Sequence, residues 1–434
     1  MTQQAKVFTA IDVGTTKVCT IVGTKTGPKN FQILTHSVVP SEGLKKGNVE
    51  DVAATEKAIR ASIEVARQNT GINIQSAWVG VAGAHVSFEN RQDTMDWAAT
   101  LGVITAEDLT RVPQRVASSS VESGRKVLHA MPMSFSLDGQ QGIRNPVGMH
   151  TRNLAVQTHV VTGDSSLMDK LVAAVENAGV TLEALVLEPL ASSEAVLTQQ
   201  EKNQGVILVD IGGGTTDVVV FSKGRICYTA VIPVGGYQFT NDICVTYNTL
   251  YPDAEAAKLK YAHVELSSVP ADEEVSLPVV GRTTELKVPR RDICQLTRER
   301  AQELIRLIKL KLGEANIEAT SKAGLVLTGG SANLPGLPEL MQQNLRKRVR
   351  IGVPDGNGDI PIELKAPAFA TGVGILLWAT AQRESAAVQA KNGRAPKIAA
   401  VRDRMVSRFF KVVRVLWPGI YSQQSKGGPN DHDE

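Results

Sequence analysis

The sequence predicts an α/β protein made of two lobes that share one design. The segments Val7 to Val22 and Val206 to Phe221 each contain an apolar strand, a tight Gly/Thr turn preceded by an aspartate, and a second apolar strand. β-Branched and aliphatic residues on both sides of such a turn favour adjacent buried strands. The chain has 434 residues, whereas a single core usually stops growing at roughly 250 to 300 residues. The duplicated pattern therefore indicates two similarly folded lobes.

The first lobe is predicted to continue beyond its hairpin and then to be interrupted. A strand, a helix and a strand are expected at Phe31 to Val39, Val52 to Asn69 and Ala77 to Ala82. Residues 85–163 follow with the order strand, helix, strand, strand, which indicates an inserted subdomain. Thr105 is the expected N-cap of its helix, and Pro113 is expected to kink that helix.

The remaining elements complete both lobes. After the insertion we expect a helix, a short strand and a helix at Ser166 to Ala178, Ala184 to Leu187 and Leu190 to Gln199. In the second lobe, Tyr237 to Val264 is predicted to be largely helical and Leu266 to Pro289 to be a loop or hairpin. A helix from Arg298 to Leu312 is expected to stop at Gly313, and a buried strand at Gly324 to Thr328 leads into a glycine turn.

These elements divide the chain into segments, with the folded body expected to end near Ala381. The predicted division is 1–84 and 164–203 for the first lobe, 85–163 for the insertion, 204–236 and 299–365 for the second lobe, 237–298 for its small subdomain, 366–382 for a helix returning to the first lobe, 383–397 for a linker, 398–418 for a basic amphipathic helix, and 419–434 for a polar tail.

Composition excludes several classes of protein. With 42% hydrophobic and 21% charged residues, the chain lies in the range of folded soluble proteins. A net charge of +3 gives no reason to expect a nucleic-acid partner. The four cysteines lack CxxC spacing, which argues against a zinc site or a disulfide framework. The histidines show no paired metal-ligand spacing.

The ends of the chain predict where the protein resides. Met1 to Lys6 is polar, so we expect no cleavable secretory signal. No apolar run approaches the roughly 20 residues that span a bilayer. The sequence therefore predicts a cytoplasmic protein that can lie on a membrane without crossing it.

The two glycine turns are candidate phosphate-binding sites, because glycine lets backbone N–H groups approach a phosphate chain closely. Their residues are Gly14, Thr15 and Thr16 in the first turn, and Gly212, Gly213, Gly214, Thr215 and Thr216 in the second. Asp12 and Asp210 would repel phosphate directly, so they are predicted to hold a hydrated Mg²⁺. Lys17 can neutralise phosphate charge. A single such turn is more often a simple hairpin, but two copies favour phosphate binding; Walker A and GxGxxG patterns are absent from the sequence.

These turns resemble the two phosphate motifs of the actin-like ATPase superfamily. VILVDIGGGTTD (Val206 to Asp217) is similar to the second motif, and LVLTGGSANLPGL (Leu325 to Leu337) to the adenosine motif. The candidate contacts in the adenosine motif are Gly329, Gly330 and Ser331. AEAAKLKY (Ala254 to Tyr261) is similar to the helix whose acidic and basic residues, here Glu255 and Lys258, flank the adenine and ribose. The resemblance implies two lobes, each around a mixed five-stranded sheet, that close on ATP and Mg²⁺.

Two further segments resemble the interdomain hinge helices of that superfamily. They are Glu188-Pro189-Leu190-Ala191 and Ala366 to Ala379. In relatives with this Glu-Pro turn the acidic residue polarises the attacking water, so Glu188 is a candidate general base. An equally weighted alternative is that Glu188 complements a helix dipole.

Within the superfamily, the chain resembles the FtsA family over essentially its whole length. The insertion falls where that family carries its 1C subdomain, and IPVGGYQFTND (Ile232 to Asp242), with Gly235 and Gly236, is similar to the segment that closes over the nucleotide. The resemblance implies a filament-forming cell division protein with at most weak ATPase activity. It also implies binding of the acidic FtsZ C-terminal peptide, with later divisome proteins binding 1C. Arg290, Arg291 and Arg300 are candidates to pair with the peptide's carboxylates, although ordinary surface salt bridges are the commoner role for any one of them.

The segment Val401 to Trp417 predicts a helix that lies on a membrane surface. At about 100° per residue, one face is apolar and the opposite face basic, with aromatic residues to anchor the interface. The candidate membrane residues are Met405, Phe409, Phe410, Lys411, Val412, Val413, Arg414, Leu416 and Trp417. Five basic residues against the single Asp403 favour anionic lipid. A helix docked on the protein's own core or in a partner's groove is the alternative.

Three other functions of related chains remain as competitors. A sugar or acid kinase of the superfamily would have no use for the basic tail, and a chaperone ATPase would need a long C-terminal β domain. A PilM-like pilus scaffold shares the insertion, but such chains are shorter and normally lack the tail helix. The preferred interpretation is a protein that tethers FtsZ to the inner face of the cell membrane at the division septum.

Overall fold

The structure is a computed structural model. It describes residues 7–27, 31–96, 103–105, 107–118, 121–143, 145–314, 322–355 and 358–391. The predicted membrane helix at 398–418 and the polar tail at 419–434 lie outside the described residues. In the ranges that are described, no helix is long and apolar enough to cross a bilayer.

Nineteen strands and ten helices make up the described part of the chain. The strands are β1 Val7–Val13, β2 Lys17–Lys25, β3 Phe31–Pro40, β4 Leu44–Lys45, β5 Asn48–Val49, β6 Ser76–Val81, β7 Ser87–Asp96, β8 Arg125–Leu137, β9 Gln140–Ile143, β10 Asn153–Asp164, β11 Thr181–Leu187, β12 Val206–Ile211, β13 Thr216–Ser222, β14 Arg225–Ile232, β15 Glu274–Leu277, β16 Leu286–Pro289, β17 Leu325–Thr328, β18 Val349–Ile351 and β19 Gly358–Asp359. The helices are α1 Val52–Thr70, α2 Asp108–Ser118, α3 Ser165–Asn177, α4 Glu188–Val196, α5 Gln199–Gln204, α6 Gly236–Tyr247, α7 Tyr251–Tyr261, α8 Arg290–Glu314, α9 Leu337–Leu345 and α10 Ala370–Lys391.

The two lobes repeat one sheet topology. In the first, β1 pairs antiparallel with β2 and parallel with β6; in the second, β12 pairs antiparallel with β13 and parallel with β17. The strand orders are β11-β6-β1-β2-β3-β19 and β14-β13-β12-β17-β18. The internal duplication predicted from the sequence is therefore confirmed.

The first sheet has six strands rather than the five that the resemblance implied. The additional strand is β19, whose Gly358 and Asp359 pair in parallel with Phe31 and Gln32 of β3. An unpaired edge strand exposes a row of N–H and C=O groups, and this short segment from late in the chain covers part of that edge.

The inserted subdomain is a four-stranded antiparallel sheet, β7-β10-β8-β9, covered by α2. Thr105 caps α2 as predicted: the Asp108 N–H donates to Thr105 Oγ1 at 3.3 Å, and the Thr105 N–H donates to Asp108 Oδ2 at 2.8 Å. The helix runs through Pro113 to Ser118. Leu109, Val112 and Val116 of α2 are buried against the sheet.

Helix α8 is longer than the sequence indicated. It begins at Arg290 instead of Arg298 and continues past Gly313 to Glu314. Its buried stripe extends about two more turns at its start, because Ile293, Cys294 and Thr297 are buried as well. A glycine near a helix end costs only about 1 kcal/mol relative to alanine, so the packing of the stripe decides where the helix ends.

Helices α4 and α10 pack against each other at the junction of the two lobes. A Cβ atom added to Gly374 in α10 would lie 1.9 Å from the carbonyl oxygen of Ala191 in α4, so the two backbones are in direct contact there. Helix α10 also continues to Lys391, beyond the predicted end of the folded body near Ala381. Residues 383–391 are rich in alanine, glutamine and charged helix formers, which explains why this part of the predicted linker is helical.

Candidate functional site

A cavity of about 460 Å³ lies between the two lobes. It brings together nearly all of the predicted nucleotide and magnesium residues: Asp12, Gly14, Thr15, Thr16, Lys17, Glu188, Asp210, Gly212, Gly213, Gly214, Thr215, Gly236, Glu255, Lys258, Gly329, Gly330 and Ser331. Thr216 and Gly235 lie behind this wall. The Thr216 hydroxyl donates to the Val234 carbonyl at 2.7 Å, so Thr216 fixes the second turn from behind and does not face the cavity.

The two glycine turns are closed in the same way. The Gly14 N–H donates to the Lys17 carbonyl at 3.0 Å, and the Gly212 N–H donates to the Thr215 carbonyl at 2.9 Å. Helix α6 braces the second turn, since the Gly236 N–H donates to the Gly212 carbonyl at 2.9 Å. Each turn thus holds its backbone in a conformation that is independent of a ligand.

The turns also face each other across the cleft. A Cβ atom added to Gly213 would lie 2.5 Å from Thr16 Cγ2, and one added to Gly214 would lie 2.4 Å from Thr15 Oγ1. Side chains at either glycine would therefore fill the space between the turns. Such a glycine-lined gap between two backbone turns has the form of a phosphate cradle.

Five carboxylates of the described residues line the cavity, and Glu255 is paired with Lys258, whereas the charges of the other four interact with one another. These four are Asp12, Glu188, Asp210 and Asp217. Burial raises the pKa of Asp12 to about 6, with Lys17 opposing and Asp210 reinforcing the shift. Burial, together with the Asp210 charge, raises the pKa of Asp217 to about 8. The clustered negative charge and the loss of hydration favour the bound state of a cation here.

The hinge helices hold Asp210 in place. The Ser192 hydroxyl from α4 donates to Asp210 Oδ2 at 2.5 Å, and the Thr371 hydroxyl from α10 donates to the same oxygen at 3.3 Å. Burial still raises the pKa of Asp210, although these two hydrogen bonds and Lys17 oppose the shift. Movement of either hinge helix would therefore change the surroundings of this carboxylate.

Lys17 is held by the segment that leads into α10. Its ammonium donates to the Ala368 carbonyl at 2.6 Å and lies 3.9 Å from the centre of the Phe369 ring. The Lys17 ammonium, which follows the first phosphate turn, is thereby fixed at the cavity wall by residues that lie about 350 positions later in the chain.

The cavity fits a magnesium-bound phosphate. Asp217 is 3% exposed, and its Oδ1 atom has no hydrogen-bond partner among the described residues. No three ligand-type side chains in those residues are close enough together to bind a metal directly. Because Mg²⁺ keeps several of its waters in protein sites, Asp12, Asp210 and Asp217 are suited to hold it through water, with the phosphates supplying the remaining charge contacts.

Glu188 is the first residue of α4 and lines the cavity. Burial raises its pKa well above the ordinary value, and the charges of Asp12, Asp217 and Asp210 add to the shift. The position is compatible with both roles considered for it, a base and a helix N-terminal charge. A protonated carboxyl cannot accept a proton, so a role as base requires positive charge to be bound nearby.

The raised carboxyl pKa values predict a pH-dependent stability of the ligand-free protein. In the unfolded chain these groups ionise near pH 4, whereas folded Asp217 retains its proton up to a pKa of about 8. Between these pH values the folded state binds more protons, so the free energy of unfolding falls as pH rises. We expect the fall in the free energy of unfolding between pH 5 and 8 to be smaller by roughly 3 to 4 kcal/mol in Asp217→Asn than in the parent. Urea unfolding of both proteins in magnesium-free buffer at several pH values measures this difference. The same pH dependence in the parent and in Asp217→Asn would contradict the raised pKa of Asp217.

The other end of the cavity contains a hydrogen-bonded cluster around Thr240. Lys258 Nζ lies 2.7 Å from Glu255 Oε2 and donates to Thr240 Oγ1 at 2.9 Å, while Glu255 also accepts from Thr240. The predicted adenosine residues therefore stabilise one another in the absence of a ligand. Gly329, with φ of +87°, brings the adenosine turn against Asp210, since an added Cβ would lie 2.3 Å from Asp210 Oδ1.

Sequence reasoning missed Asp217, Tyr251 and Thr371 of the cavity wall, and also Ser192, which hydrogen-bonds to Asp210. Asp217 lies inside the quoted second motif, and an acidic residue in an otherwise apolar buried strand was the signal that could have identified it. Tyr251 also lines the cavity and stacks on Tyr237 with ring centres 5.3 Å apart. Ser192 and Thr371 gave no signal, because hydroxyl residues are common in helices.

The three candidate arginines are already engaged in the second lobe. Arg300 forms a bidentate ion pair with Asp242, with both nitrogen–oxygen distances at 2.7 Å. Arg290 pairs with Glu273 at 2.8 Å. Arg291 donates from Nε to the Val269 carbonyl at 2.9 Å, and within the described ranges no ion pair involves it. Arg291 is thus the candidate with the most freedom to pair with an added carboxylate.

Comparison with known proteins identifies relatives of this chain. The family description "Cell division protein FtsA" matches residues 207–374, and "SHS2 domain inserted in FTSA" matches residues 83–162. Cell division protein FtsA of Pseudomonas aeruginosa is 34% identical over 376 residues, which covers 87% of this chain and 90% of that protein. The FtsA of Escherichia coli K12 is 32% identical over 378 residues, covering 86% and 90%.

Solved structures show the same fold at lower sequence identity. The PilM–PilN type IV pilus biogenesis complex gives a TM-score of 0.61 at 17% identity, covering 86% of this chain and 98% of that one. MreB5 of Spiroplasma citri bound to ADP gives 0.51 at 13% identity, covering 89% and 98%. The actin-like ATPase fold with an FtsA-type insertion, predicted from the sequence motifs, is confirmed.

Proposed function

The chain belongs to the FtsA family of cell division proteins, and from this membership we propose that it binds ATP with Mg²⁺ between its lobes, forms filaments, and tethers FtsZ to the membrane at the division septum. The observation that carries the proposal is the pair of glycine turns that face each other beside four carboxylates. This arrangement supports binding of a magnesium nucleotide more directly than any other chemistry. Hydrolysis, if it occurs, is proposed to be weak and regulatory.

Filament formation is proposed to use exposed apolar residues of the second lobe. Val245, Leu250 and Val280 are 74%, 60% and 50% exposed, and the Val280 N–H donates to the Asn248 carbonyl at 2.9 Å, beside the end of α6. Exposed apolar side chains that lie near one another mark interaction surfaces. A second copy of this chain is the proposed partner.

The partner and membrane contacts follow from the family and from the sequence. Arg291 is proposed as the first contact for the acidic C-terminal peptide of FtsZ, with Arg290 and Arg300 contributing by exchange of their present ion pairs. The inserted subdomain, 1C, is proposed to receive later divisome proteins. The basic amphipathic segment at 398–418 is proposed to bind anionic lipid at the inner face of the cytoplasmic membrane.

Vesicle sedimentation tests the tether. With vesicles that contain anionic lipid, we expect the full chain to pellet and a chain that ends at Lys397 to remain in the supernatant, because only the full chain carries the basic apolar helix. FtsZ added to the mixture should pellet only with the full chain. Neutral vesicles are the control for the charge contribution. Equal pelleting of the two chains would remove the membrane assignment.

A further inference from the structure

The hairpin β4–β5, at residues 44–49, crosses from the first lobe to the phosphate turns. Its strands pair through Leu44 with Val49 and through Lys45 with Asn48, so Lys46 and Gly47 form a two-residue loop. The φ angles of Lys46 and Gly47 are +50° and +78°, the pattern of a type I′ turn. Such turns prefer asparagine or aspartate at the position that Lys46 occupies.

The tip of this hairpin contacts the turns of both lobes. The Gly47 N–H donates to Thr15 Oγ1 at 3.3 Å in the first lobe. In the second lobe, a Cβ added to Gly214 would lie 3.1 Å from the Lys46 Cα. Gly47 itself lines the cavity. Lys46 is therefore placed where the two phosphate turns meet.

Lys46 differs from the lysines of the cavity wall in having no side-chain partner among the residues that the structure describes. Lys17 is held by the Ala368 carbonyl and the Phe369 ring, and Lys258 is paired with Glu255. Lys46 is exposed, and in the described part of the chain no hydrogen bond or ion pair involves its ammonium. Its flexible four-carbon stem can carry that charge to a ligand held by the turns.

A nucleotide whose adenosine occupied the predicted adenosine end of the cavity would extend its terminal phosphate toward this lysine. The predicted adenosine residues form the other end of the cavity, where an added Cβ on Gly236 would lie 2.7 Å from Ser331 Oγ and 3.7 Å from Lys258 Nζ. The hairpin tip instead contacts Thr15 and Gly214, at the junction of the two turns. We propose that Lys46 binds the terminal phosphate of ATP and so makes the protein bind ATP more tightly than ADP.

This inference rests on the proposed nucleotide binding, and the test separates the two. Lys46→Asn removes the charge and places in the turn a residue that adopts positive φ readily, so the fold is retained. Lys223→Asn is the matched control. Lys223 and Gly224, with φ of +52° and +80°, form the same kind of turn between β13 and β14, at the opposite end of β13 from the second phosphate turn.

Calorimetry with a non-hydrolysable ATP analogue and with ADP, both with Mg²⁺, gives the dissociation constants of the parent and the two variants. We expect Lys46→Asn to weaken binding of the analogue by about tenfold or more, since one charge-assisted hydrogen bond is lost, and to change ADP binding by less than about twofold. Lys223→Asn should leave both constants unchanged. Thermal unfolding without nucleotide should be the same for all three proteins, which shows that the turn tolerates asparagine.

Three results would overturn the assignment. Unchanged affinity of Lys46→Asn for the analogue excludes Lys46 as a phosphate contact. An equal loss for the analogue and for ADP excludes the terminal phosphate as its ligand. A parent protein that binds neither nucleotide overturns the proposed function itself, and the inference with it.

Discussion

Replacing Asp210 with asparagine is expected to weaken magnesium-dependent nucleotide binding strongly while leaving the ligand-free protein at least as stable as the parent. Asp210 is 6% exposed and lies in the cavity within reach of the charges of Asp12, Glu188 and Asp217. Removing one of four crowded negative charges relieves repulsion in the empty site. The amide oxygen of asparagine can still accept the hydrogen bonds from Ser192 and Thr371, so the hinge contacts are kept.

The loss of binding should be large, because Asp210 is one of the three buried carboxylates suited to hold a hydrated Mg²⁺ and the neutral amide of asparagine supplies no charge in its place. We expect at least about a hundredfold weaker binding of ATP in the presence of Mg²⁺, since interactions with charged groups are worth on the order of 3 kcal/mol when buried. Calorimetry with and without Mg²⁺ measures it. Asp169→Asn, which removes an exposed carboxylate paired with Lys126 on the surface, is the control and should bind normally. Unchanged Mg²⁺-dependent binding by Asp210→Asn would remove the magnesium role of this residue.

Opposite effects on binding and stability would distinguish a functional carboxylate from a structural one. A carboxylate that only stabilises the fold would lower the unfolding temperature when it is neutralised. Here the pKa of Asp210 is raised by burial, so its ionised form opposes folding near neutral pH. We therefore expect Asp210→Asn to be more stable than the parent and to bind the magnesium nucleotide much more weakly.

The motifs could be recognised from the sequence because each is local in sequence. Each phosphate turn depends on a short run of glycine and threonine between apolar strands, and the structure places both runs at one cavity. The hairpin at residues 44–49 could not be found in this way, since its strands are two residues long and give no hydrophobic periodicity. Its position beside Gly214 depends on contacts between distant segments.

The ends of helices were predicted less well than the helices themselves. The start of α8 at Arg290 and the end of α10 at Lys391 both lie beyond the predicted bounds. In each case the residues outside the predicted helix are compatible with either helix or loop, so packing and propensity over the whole helix decide the boundary. Strand β19 shows the same limit, because its pairing with β3 is set by tertiary structure alone.

Replacing Gly374 with alanine is expected to destabilise the protein more than the same change at any other glycine in the described helices. The new Cβ would lie 1.9 Å from the Ala191 carbonyl oxygen, 2.3 Å from its carbon and 3.0 Å from the Ser192 nitrogen. All three are backbone atoms of α4, so no change of side-chain rotamer relieves the overlap. The helices must separate, and we expect a loss of about 3 kcal/mol or more in the free energy of unfolding.

The control substitution is expected to change the free energy of unfolding in the opposite direction. Gly313 lies in α8, and a Cβ added there meets no atom within 4 Å, so Gly313→Ala should stabilise the protein by up to about 1 kcal/mol. Urea unfolding of both variants measures the difference between their free energies of unfolding.

A second variant, Gly374→Ala with Ala191→Gly, should not recover stability, because the overlap is with the backbone of residue 191 and not with its side chain. Recovery would show that the methyl groups, and not the helix backbones, set the distance between α4 and α10. Since Ser192 and Thr371 hold Asp210 from these two helices, the separation should also weaken nucleotide binding, and this links the packing of the hinge to the chemistry of the cavity.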